Sequence, residues 1–223
     1  MTLINDAFWT LRVDPLRPIP IEPVEPGDFI HELSGNILCS TEEDQRDRIA
    51  GRFRVYYANF ELAENHGVTA FEVLDAYQHT FDYAETVLDS DERPFSTRLY
   101  KLLANEIWNF NFLILDRVEL LPKYRGNGVG LLILSCLIER FGSGAGVVGL
   151  KPFPLQFEPR HETESWNSRL KLETYSTDVQ KSTRKLRRYY EKLGFVPMKS
   201  TPFMFRSLSW ALPTSLELKS QDG

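Results

Sequence analysis

Leu120-Leu121-Pro122-Lys123-Tyr124-Arg125-Gly126-Asn127-Gly128-Val129-Gly130, running straight into Leu131–Phe141, decides how this chain is read. The residues before it, from Asn111, are strongly apolar and β-prone, and a proline follows them. Those after it are apolar on almost every side of a helix, with Gly142 as the stop. The expectation is a strand, a tight loop and a buried helix. Such a loop presents successive backbone N–H groups at a helix N-terminus, where unpaired donors and the helix dipole both favour an anion. Glycines at alternate positions keep side chains from blocking a close approach. A phosphorylated ligand is therefore expected here.

Competing phosphate loops fit less well. No G-x-x-x-x-G-K-[ST] run occurs in the chain, and Gly126, Gly128 and Gly130 lack the G-x-G-x-x-G spacing of a dinucleotide fingerprint. A second cluster, Gly142, Gly144 and Gly146, is read as failing the same spacing and follows a helix rather than a strand. The pattern R-x-x-G-x-G after a strand ending in proline is met by Arg125, Gly128 and Gly130.

On these residues, and on Leu186-Arg187-Arg188-Tyr189-Tyr190-Glu191-Lys192-Leu193-Gly194-Phe195 downstream, the chain resembles the GCN5-related N-acetyltransferase (GNAT) superfamily. Val118–Gly130 is similar to its pyrophosphate-binding motif, and the downstream segment to its last helix, ending Tyr-x-x-x-Gly-Phe. The likeness covers the middle and final thirds of the chain. It implies one α/β domain of α+β type: a mixed, twisted, mostly antiparallel sheet flanked by helices and split at a parallel strand pair. It also implies acetyl-CoA as cosubstrate, an amine acceptor, transfer by direct attack in a ternary complex, and homodimers as a common state, with Phe203–Trp210 as the candidate edge strand.

Transfer from a thioester to an amine requires pyrophosphate held, pantetheine aligned, the ammonium deprotonated and the thiolate stabilised. The resemblance assigns the first to backbone N–H groups of Arg125, Gly126, Asn127, Gly128, Val129 and Gly130, with charge from Arg125. It assigns the second to the main chain of Val118 and Leu120, strand-like. Tyr190 matches the tyrosine that protonates the leaving thiolate; helical spacing places it inward with Leu186, Tyr189 and Leu193, so a core tyrosine is the alternative reading. Asp116 and Glu119 are candidate bases. Asp116 alternatively pairs with an arginine such as Arg117; Glu119, on the face opposite Val118 and Leu120, alternatively meets acceptor or solvent. Thr183 stands where the family often has a pantetheine-binding asparagine. The glutamate of some protein N-terminal acetyltransferases has no match in Val148–Lys151.

Lys181, Lys185, Arg188 and Lys192 form a basic helical stripe, read first as a solvated face and second as a contact for the cofactor's 3'-phosphate, with Lys192 nearest the helix end. His161-Glu162-Thr163-Glu164 lacks H-E-x-x-H and reads as a polar loop, so no metal is expected. Trp108, Phe110 and Phe112 are expected to pack the sheet.

With 223 residues, 42% of them hydrophobic, one domain with a sizeable core is expected. A net charge of -5 argues against general nucleic-acid binding, and against the rival of a toxin-like enzyme acting on charged tRNA. The other rival is a non-catalytic acyl-CoA-binding module. Cys39 and Cys136 offer no disulfide framework, and no basic-then-apolar leader opens the chain. Apolar runs fall short of the ~20 residues that cross a bilayer. A soluble, cytoplasmic protein is expected. Along the chain, residues 1–40 read as a proline-bearing N-terminal arm with Pro15, Pro18, Pro20, Pro23 and Pro26. Gly51–Leu62 reads as a central strand, Thr69–Leu88 as a helix capped by Thr69, and Thr97–Trp108 as another short helix. Ala145–Leu150 reads as a strand parallel to Asn111–Leu121. Residues 158–180 read as an irregular insertion, Ser182–Leu193 as a helix capped near Ser182, and 212–223 as a loose tail.

Overall fold

Asn111–Leu120 forms β4, the strand on which the molecule is organised. The computed structural model describes residues 7–16, 18–89, 94–158, 165–214 and 217–218. β4 runs antiparallel to β3 (Arg48–Ala58) and parallel to β5 (Ala145–Leu150). The chain passes from β4 to β5 through α5 (Val129–Phe141), as expected for a strand–loop–helix–strand unit. All six residues of β5 are buried, which suits a strand covered on both faces. With β1 (Ala7–Val13), β2 (Ile30–Thr41), β6 (Val196–Pro197) and β7 (Met204–Ser207) the sheet has seven strands, in the order β1-β2-β3-β4-β5-β7-β6. Among the described residues β4–β5 is its one parallel pair, so the sheet is mixed and mostly antiparallel, flanked by helices.

A bulge breaks the alternation of β4. Arg54 faces Arg117 while Val55 faces Leu115, so Asp116 is the extra residue. Leu113 and Leu115 therefore share one apolar layer with Val118 and Leu120, a spacing of three across the bulge, while Phe112 and Ile114 enter the other layer. The phase flip sends Arg117 and Glu119 to the face opposite Val118 and Leu120. Just there β5 runs out: pairing ends at Leu115 against Leu150, and Asp116–Leu120 continue past it. The two parallel strands part and leave an opening in the sheet.

Helices cover both faces. α1 (Phe60–Asn65), α2 (Ala70–Asp75), α3 (Gln78–Val87) and α4 (Thr97–Leu102) pack on the Phe112 side; α5 and α7 (Val179–Glu191) pack on the Leu113 side. Thr69 caps α2 through a reciprocal pair with Glu72, as its position predicts. Gly142 ends α5.

Several expectations need correcting. Within residues 1–40, β1 and most of β2 are strands of the sheet; alternation of Ala7, Trp9 and Leu11 toward the core marks β1, and the prolines only shape the link that follows. Gly35 sits where a Cβ would fall 2.1 Å from the Arg12 carbonyl oxygen, which is how closely β1 lies on β2. Helical structure over 69–88 divides at Tyr77, whose backbone is extended, and α4 stops at Leu102 before left-handed Ala104 and Asn105. Within the stretch read as an irregular insertion, residues 165–169 form α6, which buries Trp166. α7 begins at Val179, capped by the Asp178 carboxylate on the Lys181 N–H, one turn before Ser182. Gly144-Ala145-Gly146-Val147-Val148-Gly149 does carry dinucleotide spacing, but it lies in and just before β5, where Cβ atoms on Gly146 and Gly149 would strike the Asn109 carbonyl and the Phe112 ring. Phe203–Trp210 is not an edge: β7 lies between β5 and β6, and the sheet's edges are β1 and β6. The 161–164 run and most of 215–223 lie outside the described residues. No helix among the described residues is long and apolar enough to cross a membrane.

Candidate functional site

The parting of β4 and β5 opens into a cavity of about 800 Å³. Its floor is β4 from Leu115 to Leu120, and one wall is α7, with Ser182, Lys185, Leu186, Tyr189 and Tyr190 at helical spacing. Gly126 and Gly130 stand at one end; His79, Asp82 and Tyr83 of α3 line it too. Glycine loop, open strand edge, tyrosine and α3 thus share a single space.

Gly126, Asn127 and Gly128 are consecutively left-handed, with φ of 89°, 50° and 72°. Two glycines and an asparagine are the residues that tolerate this. Gly128 becomes the N-cap of α5; the Val129 N–H turns back to the Gly126 carbonyl at 3.2 Å, and the Gly130 and Leu131 N–H groups follow it in the helix's first turn beside the loop. Gly130 has a different reason: a Cβ there would fall 2.3 Å from the Tyr189 hydroxyl. Tyr189 packs on the loop, in keeping with the packing role read for it. Asn127, Gly128 and Val129 are not in the cavity's lining, whereas Val118, Leu120, Arg125, Gly126 and Gly130 are.

Arg125 is engaged by protein. Its Nε donates to the Leu120 carbonyl at 2.8 Å and its Nη2 to the Leu170 carbonyl at 2.5 Å, while the guanidinium lies 5.1 Å from the Tyr175 ring centre. It ties the end of β4 to the segment after α6, and its charge still faces the cavity. Thr183 does not line the cavity; its neighbour Ser182 does, accepting from Gln156 at 3.3 Å. Lys192, at the C-cap of α7, is likewise outside the lining, and Lys181 and Lys185 supply the positive charge instead.

Tyr190 is partly buried, lying edge-on to Tyr189 and to Phe195. Loss of water pushes its pKa up to about 12, so the phenol stays protonated as a hydrogen-bond donor. Tyr83, fully packed nearby, is also pushed well above its ordinary value, by burial first and then by Asp116, Asp82 and Tyr190.

Both carboxylates proposed as bases are occupied. Asp116, on the bulge, accepts from Arg54 Nε at 2.7 Å, not from Arg117 as the sequence suggests. Glu119 is only 5% exposed, accepting from Trp166 Nε1 at 2.7 Å and from Arg117 at 3.0 Å. Nearly closed to solvent, it anchors α6 while still lying in the cavity's lining. Arg117 also reaches Glu158 at 2.6 Å, so one part-buried network ties both Glu158 and Trp166 to β4. Sequence reading missed His79, which stacks on Tyr56 with ring centres 4.1 Å apart and on Tyr77 at 5.5 Å. Its aromatic spacing with Tyr77 and Phe81 was visible but reads as helix packing. Trp108 is 75% exposed and Phe110 partly so; of that trio only Phe112 packs the sheet as expected. Among the described residues no set of three His, Cys, Asp or Glu side chains gathers as metal ligands.

Compared with protein-family models, with curated proteins and with solved structures, the chain matched none.

Proposed function

We propose that this protein is an N-acetyltransferase of the GNAT type, moving the acetyl group of acetyl-CoA to a primary amine by direct attack in a ternary complex, in the cytoplasm. The observation that carries this reading is the shared cavity: the left-handed glycine loop at a helix N-terminus opens into the same space as the unpaired edge of β4 and the protonated Tyr190. The residues present fit the cosubstrate. N–H groups of Gly126 and Gly130, with the charge of Arg125, suit a pyrophosphate; Lys181 and Lys185 suit a further phosphate. Beyond the last pairing with β5, the N–H groups of Val118 and Leu120 and the Val118 carbonyl suit the pantetheine amides, the Leu120 carbonyl being held by Arg125.

Tyr190 then faces the departing sulfur. A phenol near 12 is a weaker acid than a thiol near 8.5, so full proton transfer in this free-enzyme setting is uphill by about 5 kcal/mol. Its role is a hydrogen bond that strengthens as thiolate charge develops, which is differential stabilisation of the transition state. Asp116 takes an orienting role through Arg54, whose Nε donates to one of its oxygens.

A non-catalytic acyl-CoA-binding module is the second reading, favoured by the engagement of both Asp116 and Glu119 with arginines. Thiol release from acetyl-CoA in the presence of a primary-amine panel separates the two. The transferase reading predicts turnover that Tyr190→Phe lowers while acetyl-CoA binding persists; binding without turnover supports the module.

A further inference from the structure

We propose that His79 is the group that takes the ammonium proton of the acceptor; this rests on the transfer reading above. His79 stands at the start of α3, exposed to the cavity that also holds Tyr83, Asp116 and Tyr190. Its ring stacks against Tyr56, tilted by 28°, and against Tyr77, tilted by 14°. Stacking on two rings fixes the plane of the imidazole, and no hydrogen bond to a described residue takes its nitrogens. Among the described residues neither nitrogen is hydrogen bonded, in contrast to the carboxylates of Asp116 and Glu119. A base must reach the proton it removes and must have a lone pair to receive it. Asp116 keeps lone pairs on its second oxygen and Glu119 is held by Trp166 and Arg117; of the three, His79 is the side chain that lines the cavity with no donor on either candidate atom.

The charges around it come from every neighbouring element: Glu32 on β2, Arg54 on β3, Asp116 on β4 and Asp82 on its own helix, the last paired with Lys151 at 3.2 Å. Partial burial is the largest influence and lowers the pKa of His79 below its ordinary 6.5; Arg54 works in the same direction, and the three carboxylates oppose them. The imidazole is therefore neutral at pH 7 and able to accept.

The step balances as follows. A proton leaves the ammonium for an imidazole nitrogen, its bonding pair staying on the amine. That pair attacks the thioester carbonyl carbon. The C–S bond breaks with its electrons on sulfur, and the tetrahedral nitrogen's extra proton ends on the thiolate that Tyr190 hydrogen-bonds. The imidazolium releases its proton to water at the cavity mouth. An amide, a free thiol and one proton result.

His79→Phe keeps a stacked ring and removes the base; His79→Ala removes both. Acetyl-CoA affinity is measured by calorimetry, and thiol release with primary alkylamines, protonated at pH 7, and with hydroxylamine, largely unprotonated there. Both variants are expected to bind acetyl-CoA within twofold of the parent. With alkylamines they should lose about 10²-fold or more in turnover, and with hydroxylamine far less. The parent's turnover should rise through a pKa below 6.5 that is missing from both variants. The His79 C2-proton NMR signal, assigned by its loss in His79→Phe, should titrate below that value as well. A Phe variant as active as the parent overturns the proposal, as does an acid limb that survives in the variants or a His79 signal titrating at or above 6.5. Acetyl-CoA bound by the parent without thiol release from any amine overturns it too. Absence of acetyl-CoA binding by the parent removes the transfer reading itself.

Discussion

Replacing Trp166 by phenylalanine deletes the indole N–H that donates to Glu119 at 2.7 Å, leaving a carboxylate only 5% exposed with Arg117 as its remaining donor. A hydrogen bond to a charged group contributes about 1.5–3 kcal/mol. The Trp166 ring also lies 4.2 Å from the Arg52 guanidinium and 5.1 Å from that of Arg169, contacts a phenyl ring makes less well, by about 0.5–1 kcal/mol. The expected loss is about 3 kcal/mol, or about 6–12 °C in melting temperature for a chain of this size. Because the α6 segment supplies the Leu170 carbonyl that holds Arg125, acetyl-CoA affinity should fall as well. Urea unfolding of Trp166→Phe, Glu119→Leu and the double variant measures the pair: the cycle should return a coupling of at least about 1 kcal/mol. A single-variant loss below about 1 kcal/mol, or additivity within about 0.5 kcal/mol, would refute the role given to this buried network.

Gly130→Ala should destabilise by about 1–3 kcal/mol through its approach to the Tyr189 hydroxyl. Adding Tyr189→Phe should relieve most of it, because the next ring atom lies at 3.4 Å; equal stability of single and double variants would count against the contact. Arg206, 1% exposed, holds the carbonyls of Leu193, Ser207, Trp210 and Ala211, and burial lowers its pKa to about 10. Arg206→Met removes this donor from all four carbonyls, Ser207 keeping the Trp210 N–H at 3.4 Å, and should cost about 3 kcal/mol or more in urea unfolding, whereas a value under about 1 would contradict the clamp. For Tyr190, the unfolded chain gives up the phenol proton near 10 and the folded chain near 12, so unfolding releases a proton between those values. Stability should accordingly decline as pH rises from 10 to 12, less steeply in Tyr190→Phe; identical pH profiles would show that Tyr190 titrates normally. The same substitution should lower thiol release by about 10–10²-fold with acetyl-CoA affinity unchanged, and an unaltered rate would remove its catalytic role.

What the sequence made legible was local. The β4–loop–α5–β5 unit could be read because its signals, an apolar strand, alternate glycines and an apolar helix, adjoin one another. The inward stripe of α7 could be read because residues three and four apart share a helix face. What escaped depended on distant partners. β1 has clear alternation, but seven residues near a proline-rich link acquire meaning only when β2 is present to pair with them. The Asp116 bulge is set by its register against β3, and so is the choice of Arg54 over Arg117 as its partner. Trp166 is a lone aromatic in a polar stretch, and only Glu119, 47 positions away, explains its burial. His79 likewise becomes a site residue through Tyr56 and Asp116, neither of them near it in sequence.

The measurement that bears most directly on acetyl transfer is calorimetric titration of the full chain with acetyl-CoA, paired with a Lys181→Glu/Lys185→Glu variant that reverses charge on an exposed cavity wall. The account predicts micromolar binding to the parent and at least about tenfold weaker binding to the variant, growing closer as salt is raised. No heat of binding to the parent, or equal affinity for both proteins, would contradict it.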